Sequence, residues 1–175
     1  MLGELENRKL SSCKPRSRLL FGLSFVTALL LVSGQASAVS LSELYRFPQA
    51  YPGPSGPVLG PDDSFYGTCE HTGEFGYGWI YRFTTNSSVT LVTSFAGTNG
   101  SLPSGSLVTG NDGALYGTCS AGGTHGFGTV FRVTTNGLLT SLLSFTGTNG
   151  PNFGLRPKGF GKGRDGAFYG CTDTT

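Results

Sequence analysis

One segment of about fifty residues occurs twice in this chain, and that repetition constrains the fold more than any other feature. Tyr66 to Gly100 laid over Tyr116 to Gly150 without a gap agrees at 18 of 35 positions, several times what ordinary residue frequencies produce. The shared skeleton reads "YGTC", then "G..G.G", "R.TTN", a single "T", and "SF.GTNG". A third, partial copy follows in "GRDGAFYG", whose Tyr169 lies 53 residues after Tyr116. An earlier half copy, "LSELYRF" ending at Phe47, matches "LTSLLSF" ending at Phe145. Units this small cannot bury a core alone and must cover one another. One array of about two and a half repeats therefore occupies residues 39–175, with repeat cores at about 62–111 and 112–164. No separate second domain is expected within these residues.

Each unit reads as four short strands. "GSLVTG" leads into "NDG", and "ALYGTC" returns from it, so Asn111, Asp112 and Gly113 take the turn of a tight hairpin. Asp62 and Asp165 match Asp112, and Gly166 matches Gly113, whereas the first copy has Asp63 at that position. "GTVFRVTTNG" supplies a third strand with its turn, and "LLTSLLSFTG" a fourth; both are rich in branched, aromatic or leucine residues, and helical periodicity is absent. In "TVFRV", Phe131 and Val133 face one way while Val130 and the stem of Arg132 face the other. Neither face is cleanly polar, as expected of a sheet covered on both sides. The expected class is all-β, with β-propeller-like, four-stranded antiparallel blades in an incomplete ring.

The first 38 residues carry an export signal in their pattern. Arg8, Lys9, Lys14, Arg16 and Arg18 precede the uncharged run Leu19 to Val32, and Ala36 to Ala38 offers the small side chains that a signal peptidase admits. The run has 14 residues, against about 20 for a bilayer-spanning helix. Cleavage before Val39 is expected, leaving no membrane span in the remainder; an uncleaved anchor is the alternative. Seven basic residues then face eight acidic ones. The positive total belongs to the signal, and no nucleic-acid partner is indicated. The expected location is secreted or cell-surface.

The run "DGALYGTCSAGGTHGFGTVFRVTTNG" continuing to "LTSLLSFTGTNG" resembles the Gloeo-Verruco, or GloVer, repeat of bacterial exported and surface proteins. The family pattern starts D-G-x-L-Y-G-T-T, centres on G-G-x-x-G-x-G-T-V-F and ends L-x-x-F-x-G. The resemblance covers residues 41 to 173 and implies an exported, propeller-like repeat protein. It implies no defined activity and brings no catalytic residues. Cys69 and Cys119 stand where the family has Thr, "CEHTGEFGYGW" lacks the double glycine, and the third copy has "YGC".

Cys69, Cys119 and Cys171 remain after the signal. No C-x-x-C spacing points to zinc or to thioredoxin-like redox chemistry. Cys69 and Cys119 are expected as small buried residues, with a bridge between them as the alternative.

The glycines of "GGTHGFG" precede a strand, with no Gly-Lys-Ser or Gly-Lys-Thr after them, so a phosphate cradle at a helix N-terminus fails on context. They read as turns and close approaches. His71 aligns with Ala121 and His125 with Phe75, so neither histidine recurs and no metal site or cofactor is expected. Glu70, His71 and Glu74 form a polar loop cluster suited to a cation or polar ligand, although an exposed solvated loop is the plainer reading. Trp79 stands where the next copy has Thr129, as packing mass or as a sugar-stacking platform. The candidate ligand-binding residues are thus Glu70, His71, Glu74, Trp79 and His125.

No G-x-S-x-G elbow marks a nucleophile, and the recurring Asp62, Asp112 and Asp165 suit hairpins better than unique chemistry. The expected function is a noncatalytic extracellular module binding glycan or protein. The alternative is a propeller-type polysaccharide hydrolase or lyase using His71 or His125 as acid or base. Propellers close with four to eight blades. The array is accordingly expected to be a fragment of a longer protein, or to assemble with copies of itself through uncovered blade edges.

Overall fold

The computed structural model describes residues 54–84 and 88–173. The export signal and the half copy at 41–47 lie outside the described residues. Ten strands follow in chain order: β1 (Val58–Leu59), β2 (Phe65–Cys69), β3 (Trp79–Phe83), β4 (Val89–Ser94), β5 (Ser101–Thr109), β6 (Leu115–Ala121), β7 (Thr129–Val133), β8 (Leu139–Ser144), β9 (Leu155–Lys162) and β10 (Phe168–Asp173). No helix occurs among the described residues. The strands form three antiparallel sheets, β1-β2-β3-β4, β5-β6-β7-β8 and β9-β10, and no barrel closes among the described residues.

The sheets are offset from the repeat cores: β5 falls within 62–111 yet heads the sheet of β6, β7 and β8, and β9 falls within 112–164 yet pairs with β10. Positive φ is required after the aspartate of the first turn, and Gly113 and Gly166 adopt it at 72° and 83°. Asp63 takes the same conformation at 57°, in keeping with the tolerance of aspartate for the left-handed region. Two residues before each aspartate stands a glycine without that backbone need. A Cβ on Gly60, Gly110 or Gly163 would lie 2.5, 2.5 or 2.7 Å from the ring of Tyr66, Tyr116 or Tyr169. The missing side chain lets each tyrosine fold back over its own turn.

The sheets stack face to face. Tyr66 and Ile80 of the first sheet, with Phe95 just after β4, pack against Leu107, Leu115, Cys119, Phe131 and Val133 of the second sheet, forming the main core. Cys69, Trp79, Tyr81 and Phe83 form a smaller cluster on the opposite face of the first sheet, flanked by Phe65 and Val89. Strand alternation explains the division, since Ile80 points one way while Trp79, Tyr81 and Phe83 point the other. The second sheet repeats the scheme: Phe131 and Val133 meet the first sheet, and Tyr116 meets Phe168 of the third at 4.5 Å. Both faces of the central sheet are covered, as the mixed "TVFRV" pattern requires.

One detail of the repeat alignment changes. Without gaps, Gly150 corresponds to Gly100; in the structure Gly154 takes that role. The bridge Gly97–Gly100 recurs as Gly147–Gly154, and Gly100 and Gly154 share a φ of 132°. Pro151 to Gly154 extend the connection, so the shared "GTNG" spelling no longer reports the turn position.

Candidate functional site

The loops between the second and third strand of each sheet share one backbone frame. Thr72 bridges Tyr77 in parallel, as Gly122 bridges Phe127. Gly78 N–H donates to Thr72 O at 2.9 Å, and Gly128 N–H to Gly122 O at 3.0 Å. Thr72 and Gly122 even share a φ of 74°. The lost double glycine of the first copy therefore leaves the loop path unchanged, although a β-branched residue is strained there.

Different side chains stand on that common frame. Glu70, His71, Glu74 and Phe75 occupy the first loop, where the second has Ser120, Ala121, Thr124 and His125. Glu70 Oε2 lies 4.0 Å from His71 Nε2, and both side chains are about half exposed. Glu74 is anchored by its backbone, whose N–H donates to Ser94 Oγ at 3.3 Å, leaving its carboxylate in solvent. His125 Nδ1 lies 3.0 Å from Thr124 Oγ1. The structure thus gathers Glu70, His71 and Glu74 on one loop and sets His125 on the equivalent loop of the next sheet. Among the described residues no group of three or more His, Cys, Asp or Glu could hold a metal ion.

Trp79 sits below the first loop. It is 8% exposed and meets Tyr81 edge-on at 6.1 Å. Its ring is largely covered, whereas a sugar-stacking platform needs an open ring face. Cys69 and Cys119 are both free and buried, so no bridge joins them, and burial pushes each thiol up to about 12. Cys171 is free and exposed.

A recurring side-chain clamp ties each sheet at the end away from these loops. Asp112 Oδ2 accepts from Tyr116 Oη at 2.9 Å, from Arg132 Nε at 2.9 Å and from Arg132 Nη2 at 2.7 Å, while Oδ1 accepts from Ala114 N–H at 3.2 Å. The Arg132 guanidinium leads in holding the Asp112 carboxyl at about 2. In the first sheet Asp62 Oδ2 accepts from Tyr66 Oη and from Arg82 Nη2, each at 2.9 Å. Partial burial pulls the Asp62 carboxyl upward, but the Tyr66 bond, the Ser64 N–H and Arg82 together outweigh it and leave it lowered. Asp165 accepts from Tyr169 Oη at 2.7 Å. The reading of these aspartates as hairpin residues catches the turn and misses the partners. The signal was present in two spacings, Asp to Tyr at four and Asp to Arg at twenty, both repeated.

A model of the Gloeobacter/Verrucomicrobia repeat matches residues 31–175. The chain belongs to that family. No curated protein matches it. In this chain each described copy of the Gloeobacter/Verrucomicrobia repeat binds its aspartate to its tyrosine, the first two add an arginine, and the glycine centre of those two forms the loop. No described helix is long and apolar enough to cross a membrane.

Proposed function

We propose that this chain is an exported, noncatalytic interaction module whose sheets stack as blades of a propeller-type array and whose loops engage a glycan or protein. One observation carries the reading: two loops with the same backbone path present unlike side chains, Glu70, His71, Glu74 and Phe75 against Ser120, Ala121, Thr124 and His125. A rigid frame under divergent exposed loops is how recognition surfaces are built. Export is supported by the basic region, the apolar run Leu19 to Val32 and Ala36 to Ala38. Blade stacking is supported by the sequential order of the strands in each sheet and by the covered central sheet.

The test has two parts. The chain is screened on a glycan array and in pull-downs from cell-envelope extract, beside a variant carrying Glu70→Ala, His71→Ala, Glu74→Ala and His125→Ala. Capture that the variant loses is expected. Blank screens with a chain whose circular dichroism shows intact sheets remove the proposal. Export is checked by expressing the full chain in a bacterium and sequencing the N-terminus of the secreted product, expected to begin at Val39.

A further inference from the structure

We infer that the rings of Tyr77 and Phe127 are stacking platforms, one on each of two neighbouring loops, for sugar units of a single neutral polysaccharide. The inference rests on the interaction-module reading above and names its ligand.

The two aromatics hold the same place in successive copies, and each lies flat on a glycine. A Cβ on Gly97 would stand 3.2, 3.3 and 3.5 Å from three adjacent atoms of the Tyr77 ring, and one on Gly147 would stand 2.9, 2.9 and 3.1 Å from the same three atoms of Phe127. Near-equal distances to adjacent ring atoms place the glycine beneath the ring face, because an edge-on approach leaves the flanking atoms much farther away than the nearest. Gly97 and Gly147 adopt left-handed φ values of 80° and 76°, which glycine takes without strain. With one face covered in this way, Tyr77 is still 45% exposed and Phe127 42%. The opposite face is the open one.

That exposure belongs to the repeat and not to an end of the array. The whole sheet β5-β6-β7-β8 follows Tyr77, and the whole sheet β1-β2-β3-β4 precedes Phe127. A complete neighbouring sheet, after the ring in one case and before it in the other, leaves it open. Trp79, two residues beyond Tyr77, is by contrast buried.

The backbone fixes both platforms. Leu102 N–H donates to Tyr77 O and Arg156 N–H to Phe127 O, each at 3.0 Å, from residues at left-handed φ values of 53° and 46°. Leucine and arginine are strained there, and the strain recurs at the same place in both copies. Gly123 N–H of the second loop also donates to Gly97 O at 2.8 Å. The turn beneath one platform is thus bonded to the loop that carries the other.

The ligand class follows from the chemistry of these loops. A pyranose offers a flat C–H face to an open aromatic ring and a rim of hydroxyls to polar side chains, here the exposed His71 and Glu74 on the first loop and Thr124 and His125 on the second. Equal platforms, one per copy, match a polymer of equal units, whereas a protein interface centres on one buried cluster of anchors. Neither loop, 70–78 or 120–128, carries a lysine or an arginine, so neither selects an anionic polymer.

The full chain is run in native affinity gels containing hydroxyethylcellulose, xylan, galactomannan or soluble β-1,3-glucan, with polygalacturonate as the anionic comparison. Retardation by at least one neutral polymer, and none by polygalacturonate, is expected. Tyr77→Ala and Phe127→Ala should each weaken it about three- to tenfold, and the double variant should abolish it. Tyr77→Phe and Phe127→Tyr should keep it, as should Leu138→Ala at an exposed apolar position in the turn after β7. Circular dichroism checks that each variant keeps its sheets. No retardation by any of the four neutral polymers, equal retardation by polygalacturonate, or undiminished retardation of the double variant overturns the inference. Capture of an envelope protein that depends on Glu70, His71, Glu74 and His125, without retardation here, keeps the module and removes the sugar platforms; blank results in both experiments remove both.

Discussion

Tyr116 donates its phenol hydrogen to Asp112 over 2.9 Å, four residues back across the hairpin turn, and the same carboxylate oxygen receives Arg132 from the neighbouring strand. One atom thus ties the turn, the second strand and the third strand together. Tyr66 and Asp62 repeat the bond at the same length in the first sheet, and Tyr169 and Asp165 at 2.7 Å in the third. The covering differs around this constant geometry. Tyr66 is 0% exposed beneath a four-stranded neighbour, while Tyr169 is 59% exposed.

Arg132→Lys should lower the thermal midpoint although charge is retained. Arg132 places Nε and Nη2 on one oxygen of Asp112, and a lysine ammonium cannot reproduce that planar fork. Arg82→Lys should cost less at its aspartate, because Arg82 sends Nη2 to Asp62 and Nε to Ser64 Oγ. Paired melts followed by circular dichroism compare the two; a larger drop for Arg82→Lys contradicts the clamp geometry.

Acid should loosen the sheets in a defined window. The Asp62, Asp112 and Asp165 carboxyls are all lowered when folded, so their contribution is present above the ordinary carboxylate value near 3.8 and is lost as pH falls toward about 2. Trp79, the single tryptophan, is buried in the first sheet and reports the loss by fluorescence. Asp112→Asn should lower stability at neutral pH and shrink its decline across that window. An unchanged acid profile would contradict the assignment.

Thiol chemistry should separate Cys69, Cys119 and Cys171 in a chain that begins at Val39 and so lacks Cys13. At pH 8 a chromogenic disulfide reagent should label Cys171 in the native chain and reach Cys69 and Cys119 only after denaturation, since burial both blocks them and holds their thiols protonated up to about 12. Rapid native labelling of all three sites would be incompatible with the packed core.

Two alanine substitutions separate a glycine that admits a tyrosine from one that admits nothing. Gly110→Ala places a methyl 2.5 Å from the Tyr116 ring and from Asp112 Oδ1, and should destabilise by about 1–3 kcal/mol. At Gly161 the same change meets nothing within 4 Å and no left-handed backbone, so a change within about 0.5 kcal/mol is expected. Urea denaturation of the two variants decides it.

The strands of one repeat were legible because local chemistry writes them: alternating branched and aromatic residues set extended backbone, and Asp112 with Gly113 set the turn. The second hairpin strand, read as "ALYGTC", appears as Leu115–Ala121, and the third as Thr129–Val133. The start of β5 at Ser101 was less visible, since its pairing is interrupted between Ser104 and Val108. Glu70, His71 and Glu74 lie on one loop, as their places in the amino-acid order require. Burial of Trp79 was not decidable from its own segment, because the face it joins depends on which residues alternate with it and what packs there.

Repetition in the amino-acid order was enough to establish one all-β array and its family, because equal units with equal turns must make equal sheets. Strand pairing within a sheet decided that Asp112 would hold a tyrosine and an arginine together, and only the packing of sheet on sheet decided that Tyr66 would be dry while Tyr169 faces solvent. Backbone shape follows from neighbours along the chain; the surroundings of a side chain follow from neighbours across space, and those differ from one copy of the same motif to the next.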